Sequence, residues 1–313
     1  MTAQLQTRVD LTLAPSSSLR RRYLYQYLAK GVMIAATATS VIVTTLLILS
    51  LIPTTIQFLQ EVGGQVFGTN WGPLFEPPTF GLLPLILGTS MVVLIAIIVA
   101  VPVGLSAAIY MSEYASKRVR RIVKPVVEVL AGIPTVVLGL FGLYFVNPNI
   151  VQKFWPIGEP TAYTALGAGL VTGILVIPIV ASVADDAMKA VPQGLREGAF
   201  ALGATRREVS TKVVLGAALS GVMAAIILAV ARAFGETTVA LMVAGSYAQL
   251  TLNPGDAMQT MSAFIGFAGI GDQPVDSTGY RTIFFVGTML FLITWVLNVI
   301  ALRIINKYRE VYE

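Results

Sequence analysis

Residues 83–110, LPLILGTSMVVLIAIIVAVPVGLSAAIY, decide the fold because these 28 residues include no charged side chain. A helix needs about 20 mostly apolar residues to cross a bilayer, so Leu83–Tyr110 is predicted to be a transmembrane helix. Five further stretches are apolar and long enough to cross as well: Gly31–Ile52, Val126–Val146, Thr161–Val183, Ala217–Val243 and Thr282–Ile305. The sequence therefore predicts an all-α, polytopic membrane protein with about six transmembrane helices.

The composition supports this prediction and narrows the possible functions. Of the 313 residues, 56% are hydrophobic and only 12% are charged, whereas soluble domains carry roughly a quarter charged residues. The chain contains no cysteine and no histidine, so it has neither disulfides nor the commonest metal ligand and general base. We therefore expect no catalytic residues, no metal and no cofactor.

The positive charges lie almost entirely on one side of the predicted membrane. Eighteen of the 21 basic residues fall before the first span, between spans two and three, between spans four and five, or at the C-terminal end. By the positive-inside rule this side is cytoplasmic, and so are both termini. A basic rim against membrane lipid is typical of such proteins, so the net charge of +5 does not predict a nucleic-acid partner.

Two outer segments are more than simple connections. Residues 53–82 combine prolines with aromatic side chains and predict an ordered cap at the membrane interface. The longer outer loop, about residues 244–281, contains the apolar stretch Ala257–Ile270. That stretch is too short to span, so we expect a re-entrant or interfacial helix.

The cytoplasmic segment 185–216 is too long for a simple connector. Pro192 can open a helix there, and the sequence REGAFALGA that follows is rich in small residues against which another protein could pack. The segment resembles the EAA loop of ABC-importer permeases, with Glu197-Gly198-Ala199 followed by Gly203 at the typical spacing. Gly198 and Gly216 stand where alanine and proline are usual.

This resemblance implies a coupling helix that docks on a separate ATP-hydrolysing subunit. The residues assigned to it are Glu197, Gly198, Ala199, Gly203 and Arg206, with Arg196 and Arg207 also offering polar contacts at its rim. The chain contains no G-x-x-x-x-G-K-[ST] motif, so it is not expected to hydrolyse ATP itself. An amphipathic helix lying on anionic lipid is the alternative.

Three ionisable residues lie within the predicted spans. Glu128 is near the start of the third span, and Lys124 is expected to pair with it as a structural anchor. Arg232 lies near mid-membrane, where an arginine costs roughly 3 kcal/mol or more, and Glu236 follows four residues later on the same predicted helix face. The residues alone leave two interpretations open, a structural ion pair and a relay for anions.

Two motifs resemble the phosphate-specific transport permeases: Ala231–Thr237, ARAFGET, and Leu130–Gly142, LAGIPTVVLGLFG. The outer segment Trp71–Gly81 and the long loop after Gly245 favour the C-type permease of that family over its A-type homologue. The resemblance implies a type I ABC importer permease fold, with Arg232 and Glu236 on the phosphate path. It also implies three kinds of partner: a homologous permease, two ATP-binding subunits and an extracytoplasmic phosphate-binding protein.

The corresponding division of the chain has four parts. We expect a cytoplasmic segment at 1–30, the first helix with its outer loop at 31–82, the permease domain at 83–305 and a cytoplasmic tail at 306–313. Sulfate or molybdate is the alternative cargo, because one arginine does not distinguish oxyanions. A secondary transporter or channel, and a sensor of phosphate status, are alternatives from other classes. The sequence also leaves homodimer and heterodimer open.

Overall fold

The computed structural model describes residues 17–157, 161–275 and 277–307. The first 16 residues of the predicted N-terminal segment and all but two residues of the predicted tail lie outside this part. Within it, five helices are long and apolar enough to cross a membrane, or six when one bent pair is counted as a single span. The predicted all-α, polytopic membrane fold is confirmed.

The chain forms ten helices within the described residues, besides one hairpin and several short turns of other helical types. They are α1 (Ser17–Val62), α2 (Leu83–Tyr114), α3 (Lys117–Ala131), α4 (Thr135–Phe154), α5 (Ala165–Lys189), α6 (Gln193–Ala201), α7 (Arg206–Ala217), α8 (Leu219–Phe234), α9 (Met261–Ile270) and α10 (Thr278–Lys307). The hairpin pairs β1 (Trp71–Gly72) with β2 (Thr79–Phe80). Two compact units, Met1–Ser50 and Leu51–Glu313, divide within α1.

Several span boundaries differ from the prediction, including the end of the first span and the start of the third. The first helix continues through Pro53 to Val62, ten residues beyond the predicted end. The third span begins at Thr135, because Gly132 and Pro134 interrupt the helix and the residue before a proline is disfavoured in helical geometry.

The residues before that interruption form α3, an amphipathic helix with five basic residues. Glu128 therefore lies in α3 and not within a span. The predicted Lys124–Glu128 pair is wrong as well, since Lys124 Nζ lies 3.1 Å from Asp186 Oδ1 on α5. The prediction failed because hydropathy alone joined two helices across the break.

The core is centred on α2 and α5, which pack together along their length. Small residues permit this close approach. A Cβ added at Gly104 of α2 would lie 2.7 Å from Val180 Cβ, and one added at Gly169 of α5 would lie 2.6 Å from Ile95 Cβ. The two helices therefore form a tightly packed pair, against which α8 also packs.

The predicted cap at the outer segments is confirmed as an ordered structure. Trp71 pairs with Phe80 across the hairpin, and Phe80 packs against Phe58 of α1. Arg281 of α10 pairs with Glu61 at 3.0 Å. We call this end of the molecule the cap end, and the end that carries α6 the basic end.

Candidate functional site

The fifth predicted span is interrupted in the middle. Helix α8 ends at Phe234, residues 235–237 are not helical, and a short π-helical segment, Ala240–Ala244, follows. The span also starts later than predicted, since α7 meets α8 at a bend of 73°. The prediction of one continuous helix from Ala217 to Val243 is therefore wrong.

Arg232 and Glu236 pair across this interruption. Arg232 Nη1 lies 2.8 Å from Glu236 Oε2, and the other oxygen of Glu236 accepts a hydrogen bond from the backbone N–H of Val239 at 3.1 Å. The side chain of Glu236 is 3% exposed, whereas that of Arg232 is 39% exposed. The carboxylate is thus enclosed, while much of the guanidinium remains accessible.

The interruption gives a physical reason why both charges are tolerated. Arg232 lies in the last turn of α8, where the partial negative charge of the helix C-terminus favours a cation. Glu236 lies just beyond, where its carboxylate accepts the Val239 N–H that the broken helix leaves free. The accessible donors of Arg232 form a planar fork, which suits the geometry of an oxyanion.

The segment after the interruption is fixed by its neighbours. Ser262 Oγ of α9 donates to the carbonyl of Glu236 at 2.8 Å, and Asn147 Nδ2 of α4 donates to the carbonyl of Val243 at 3.3 Å. The short helix α9 is itself held by Thr89 of α2, whose hydroxyl accepts from Met261 N at 2.9 Å. The predicted non-spanning helix at 257–270 is confirmed, and it packs beside the interruption.

The residues predicted to form the coupling loop lie in a compact helical hairpin. Pro192 precedes α6 as predicted, and Gly203 follows it with φ +84°, a left-handed conformation that favours glycine. Ala204 N bonds to Ala199 O at 3.1 Å and Gly203 N to Phe200 O at 2.9 Å. These two bonds form a Schellman motif, so the glycine at this spacing is needed to end the helix.

The next helix starts with a capping box. Glu208 N donates to Thr205 Oγ1 at 3.3 Å, and Thr205 N donates to Glu208 Oε2 at 3.0 Å. The backbone hydrogen bond from Thr205, together with its hydroxyl and Lys212, lowers the pKa of Glu208 to about 2. The carboxylate therefore stays charged throughout the physiological range, and the turn between α6 and α7 is firmly defined.

The predicted coupling residues divide between two faces of α6. Glu197 and Gly198 are exposed, as is Leu202 just after the helix, at 91%. Ala199 is half-buried against the chain itself. The exposed face offers a carboxylate beside an apolar tip. This combination suits contact with a protein partner better than contact with a lipid surface.

Two of the arginines that the sequence predicts at the rim of the coupling helix, Arg196 and Arg206, make contacts within the chain itself. Arg196 pairs with Glu113, at the end of α2, at 3.0 Å, and its own side chain is only 12% exposed. Arg206 donates to the carbonyl of Glu113 and lies 5.0 Å from the ring centroid of Tyr114. Arg206 nevertheless remains exposed, as does Arg207, so these two of the three arginines stay accessible at the rim.

The ion pairs of Glu113 and Asp185 were not predicted from the sequence. Asp185 is fully buried at the end of α5, where it pairs with Arg120 of α3 at 2.8 Å and with Lys189. An available signal was the pair Asp185-Asp186 at a span end, on the same side as the basic run 117–124. Among the described residues, no group of His, Cys, Asp and Glu could hold a metal ion.

The interrupted span with an accessible cation, the non-spanning helix beside it and the exposed small-residue helix are features expected of one class of protein, the membrane permease. The chain belongs to the family described as binding-protein-dependent transport system inner membrane component, which matches residues 100–308. It is thus a multi-pass membrane component of a transport system that depends on a binding protein.

Individual relatives agree with the family. The chain is 35% identical over 242 residues to the "Probable ABC transporter permease protein YqgH" of Bacillus subtilis, covering 77% of each chain. It is 33% identical over 296 residues to the "Phosphate transport system permease protein PstC" of Xylella fastidiosa, covering 88% of this chain and 89% of that one.

A solved structure with a similar fold is that of the MetNI methionine ABC transporter in inward-facing conformations. Its TM-score is 0.54 at 20% identity, covering 74% of this chain and 95% of that one. At this identity the likeness concerns the fold alone, and it identifies the ABC importer permease fold.

Proposed function

We propose that this chain is a permease subunit of an ATP-driven importer that moves inorganic phosphate across the cytoplasmic membrane. The observation that carries the proposal is Arg232, an accessible guanidinium at an interruption of a membrane span, held by an enclosed glutamate. An oxyanion that leaves water needs such a partner. Relatives named as phosphate transport permeases support phosphate over other oxyanions.

The proposed assembly has four kinds of component. This chain and a homologous permease form the path, two ATP-binding subunits hydrolyse ATP, and an extracytoplasmic phosphate-binding protein delivers the cargo to the cap end. The basic end and both termini face the cytoplasm, in keeping with the positive-inside rule. ATP hydrolysis takes place outside this chain, which transmits the resulting movement.

The proposed mechanism links the two sites described above. The ATP-binding subunits act on the exposed face of α6 around Glu197, and α7 carries the movement through its bend into α8. Arg232 lies at the far end of α8 and moves with it, whereas Glu236 is held by Val239 and α9. Arg232 offsets the desolvation of phosphate in passage, and Glu236 prevents binding so tight that release is slow.

Uptake of radiolabelled phosphate into proteoliposomes containing the whole system tests the function. We expect uptake that requires both ATP and the binding protein, and competition by unlabelled phosphate but not by sulfate or molybdate. Competition by sulfate or molybdate instead would identify a different oxyanion as the cargo. Uptake without the ATP-binding subunits would favour a secondary transporter and overturn the proposal.

The coupling assignment is tested in the same vesicles with Glu197→Lys. Reversing this exposed charge is expected to reduce uptake at least about tenfold, because like charges at an interface cost several kcal/mol. Glu128→Lys is the matched control, since Glu128 is also exposed at the basic end but is not part of the coupling loop. Equal uptake by both variants at equal expression would refute the role of Glu197.

A further inference from the structure

The side chain of Arg196 is largely enclosed and forms an ion pair, although the helix that carries it is mostly exposed. It lies next to Glu197 in sequence, yet Glu197 is exposed whereas the side chain of Arg196 is only 12% exposed. Its partner Glu113 is only 8% exposed. An ion pair enclosed to this extent is costly to form unless its geometry is good and its remaining donors are satisfied.

Two further hydrogen bonds of Arg196 go to α5 and to the residues just after it. Nη1 donates to the carbonyl of Val191 at 2.6 Å and Nη2 donates to that of Met188 at 2.8 Å. The Met188 carbonyl lies in the last turn of α5 and the Val191 carbonyl just beyond it, where the partial negative charge of the helix C-terminus favours a cation. One guanidinium therefore joins three elements: α6, which carries it, the end of α2 and the end of α5.

The end of α2 is held from a second direction. Ser112 Oγ donates to Glu113 Oε1 at 2.9 Å and so fixes the carboxylate that faces Arg196. Arg206, the first residue of α7, donates to the Glu113 carbonyl and lies over the Tyr114 ring. Both sides of the coupling hairpin are thus attached to the same turn of α2.

Apolar contacts alone would leave the orientation of α6 poorly defined. The helix has nine residues between Pro192 and Gly203, which is too short for stability on its own. Leu195 and Ala199 pack against the apolar cluster around Met188 and Val209, but such contacts are non-directional. The bonds of Arg196 are directional, so they set the angle at which α6 is held against α2 and α5.

We propose that Arg196, paired with Glu113, is a positioning residue that makes α6, α2 and α5 move as one body when the ATP-binding subunits act on α6. Because α2 and α5 are closely packed through Gly104 and Gly169, a push on α6 moves this pair directly. Movement of α8 follows through the separate connection of α7. This inference rests on the proposed function only in assuming that ATP-binding subunits act on α6.

The activity test compares Arg196→Gln with Lys212→Gln, an exposed lysine on the same loop. We expect phosphate moved per ATP hydrolysed to fall roughly tenfold in Arg196→Gln and to stay unchanged in the control. The double variant Glu113→Gln/Arg196→Gln should be no worse than the more severe single variant, since the pair acts as a unit. A purely structural role would lower uptake and ATP hydrolysis together and leave their ratio constant, which would contradict the proposal.

A distance measurement tests whether α6 and α2 move as one body. It needs no transported anion, so it remains valid if the cargo is not phosphate. The chain has no cysteine, so spin labels can be placed at Tyr110→Cys and Ala201→Cys, both exposed, in the assembled complex freed of partner cysteines. We expect the same distance between labels with and without vanadate-trapped ATP. With Arg196→Gln added, the distance should change on trapping. A distance that changes in the complex with Arg196 intact would overturn the proposal, even if Arg196→Gln failed to assemble.

Discussion

The interrupted fifth span and the base of α6 each bring one arginine to one glutamate, at 2.8 Å and 3.0 Å respectively. The two glutamates are almost equally enclosed. The arginines are not, because Arg232 is 39% exposed and Arg196 is 12% exposed. Arg232 makes one hydrogen bond within the described residues, whereas Arg196 makes three.

This difference separates two uses of the same ion pair. An arginine that makes three hydrogen bonds within the chain and is largely enclosed fixes the position of helices and is poorly accessible to a ligand. An arginine with free donors, held in place by a single enclosed carboxylate, can receive an anion. We therefore expect changes at the interruption to alter transport, and changes at the basic end to alter stability or coupling.

After changes to Arg232 itself, the largest effect is expected from Glu236→Gln. Without the negative charge, Arg232 retains phosphate too strongly, so the maximal rate should fall roughly tenfold while KM does not rise. Concentration dependence of phosphate uptake measures both quantities. Glu236→Asp keeps the charge and is the matched control, with a smaller loss expected. A raised KM at an unchanged maximal rate would contradict the assigned role.

At the basic end, Asp185→Asn should act on stability. Arg120 and Lys189 would lose the buried carboxylate that they share, and since these cations are 28% and 30% exposed, solvent reduces the expected loss to about 2 kcal/mol. Unfolding by denaturant, followed by circular dichroism, measures the change. The control Asp186→Asn removes an exposed carboxylate and should cost less than about 0.5 kcal/mol. Equal losses of stability in the two variants would refute the claim that the buried carboxylate contributes more than the exposed one.

A smaller effect is expected at the turn after α6. Gly203 has φ +84° and open space around it, so Gly203→Ala strains only the backbone, at about 1 kcal/mol. The same unfolding measurement applies. Amide hydrogen exchange should show faster exchange at Ala204, whose N–H bonds to Ala199 O. Unchanged exchange there would indicate that the Schellman motif is not what ends the helix.

The smallest effect is expected from Gly198→Ala, which restores the residue usual at this position in EAA loops. A Cβ there meets nothing within 4 Å, and alanine favours a helix over glycine by about 0.5–1 kcal/mol. We expect a slight rise in stability and normal uptake. Impaired uptake with normal stability would mean that the partner subunit needs the glycine surface.

The sequence predicted the number of spans and the ends of the short helix α6 well, because both depend on local patterns. Hydropathy locates apolar stretches of sufficient length, and Pro192 and Gly203 mark the ends of α6 by their own backbone preferences. The interruptions were harder to predict. Gly235 and Glu236 look compatible with an apolar helix, and the break depends on a bond from Ser262, which is distant in sequence.

Most ion pairs between distant parts of the chain could not be predicted either, because their partners are far apart in sequence. Arg196 is separated from Glu113, and Asp185 from Arg120, by dozens of residues that local periodicity does not relate. Lys124 was assigned to Glu128 one turn away, although Asp186 is its partner in the folded chain. Composition showed which charges lie at the basic end, but only the packing of α2, α3 and α5 determines their partners.

The most direct test of the account is phosphate uptake by the complete transporter with Arg232→Gln, compared with Arg232→Lys at equal expression. The account predicts that Arg232→Gln lowers uptake by more than about tenfold, since an anion then crosses without its cation, while ATP hydrolysis stimulated by the binding protein persists. Arg232→Lys should retain part of the uptake. Normal uptake by Arg232→Gln would contradict the claim that this residue lies on the anion path.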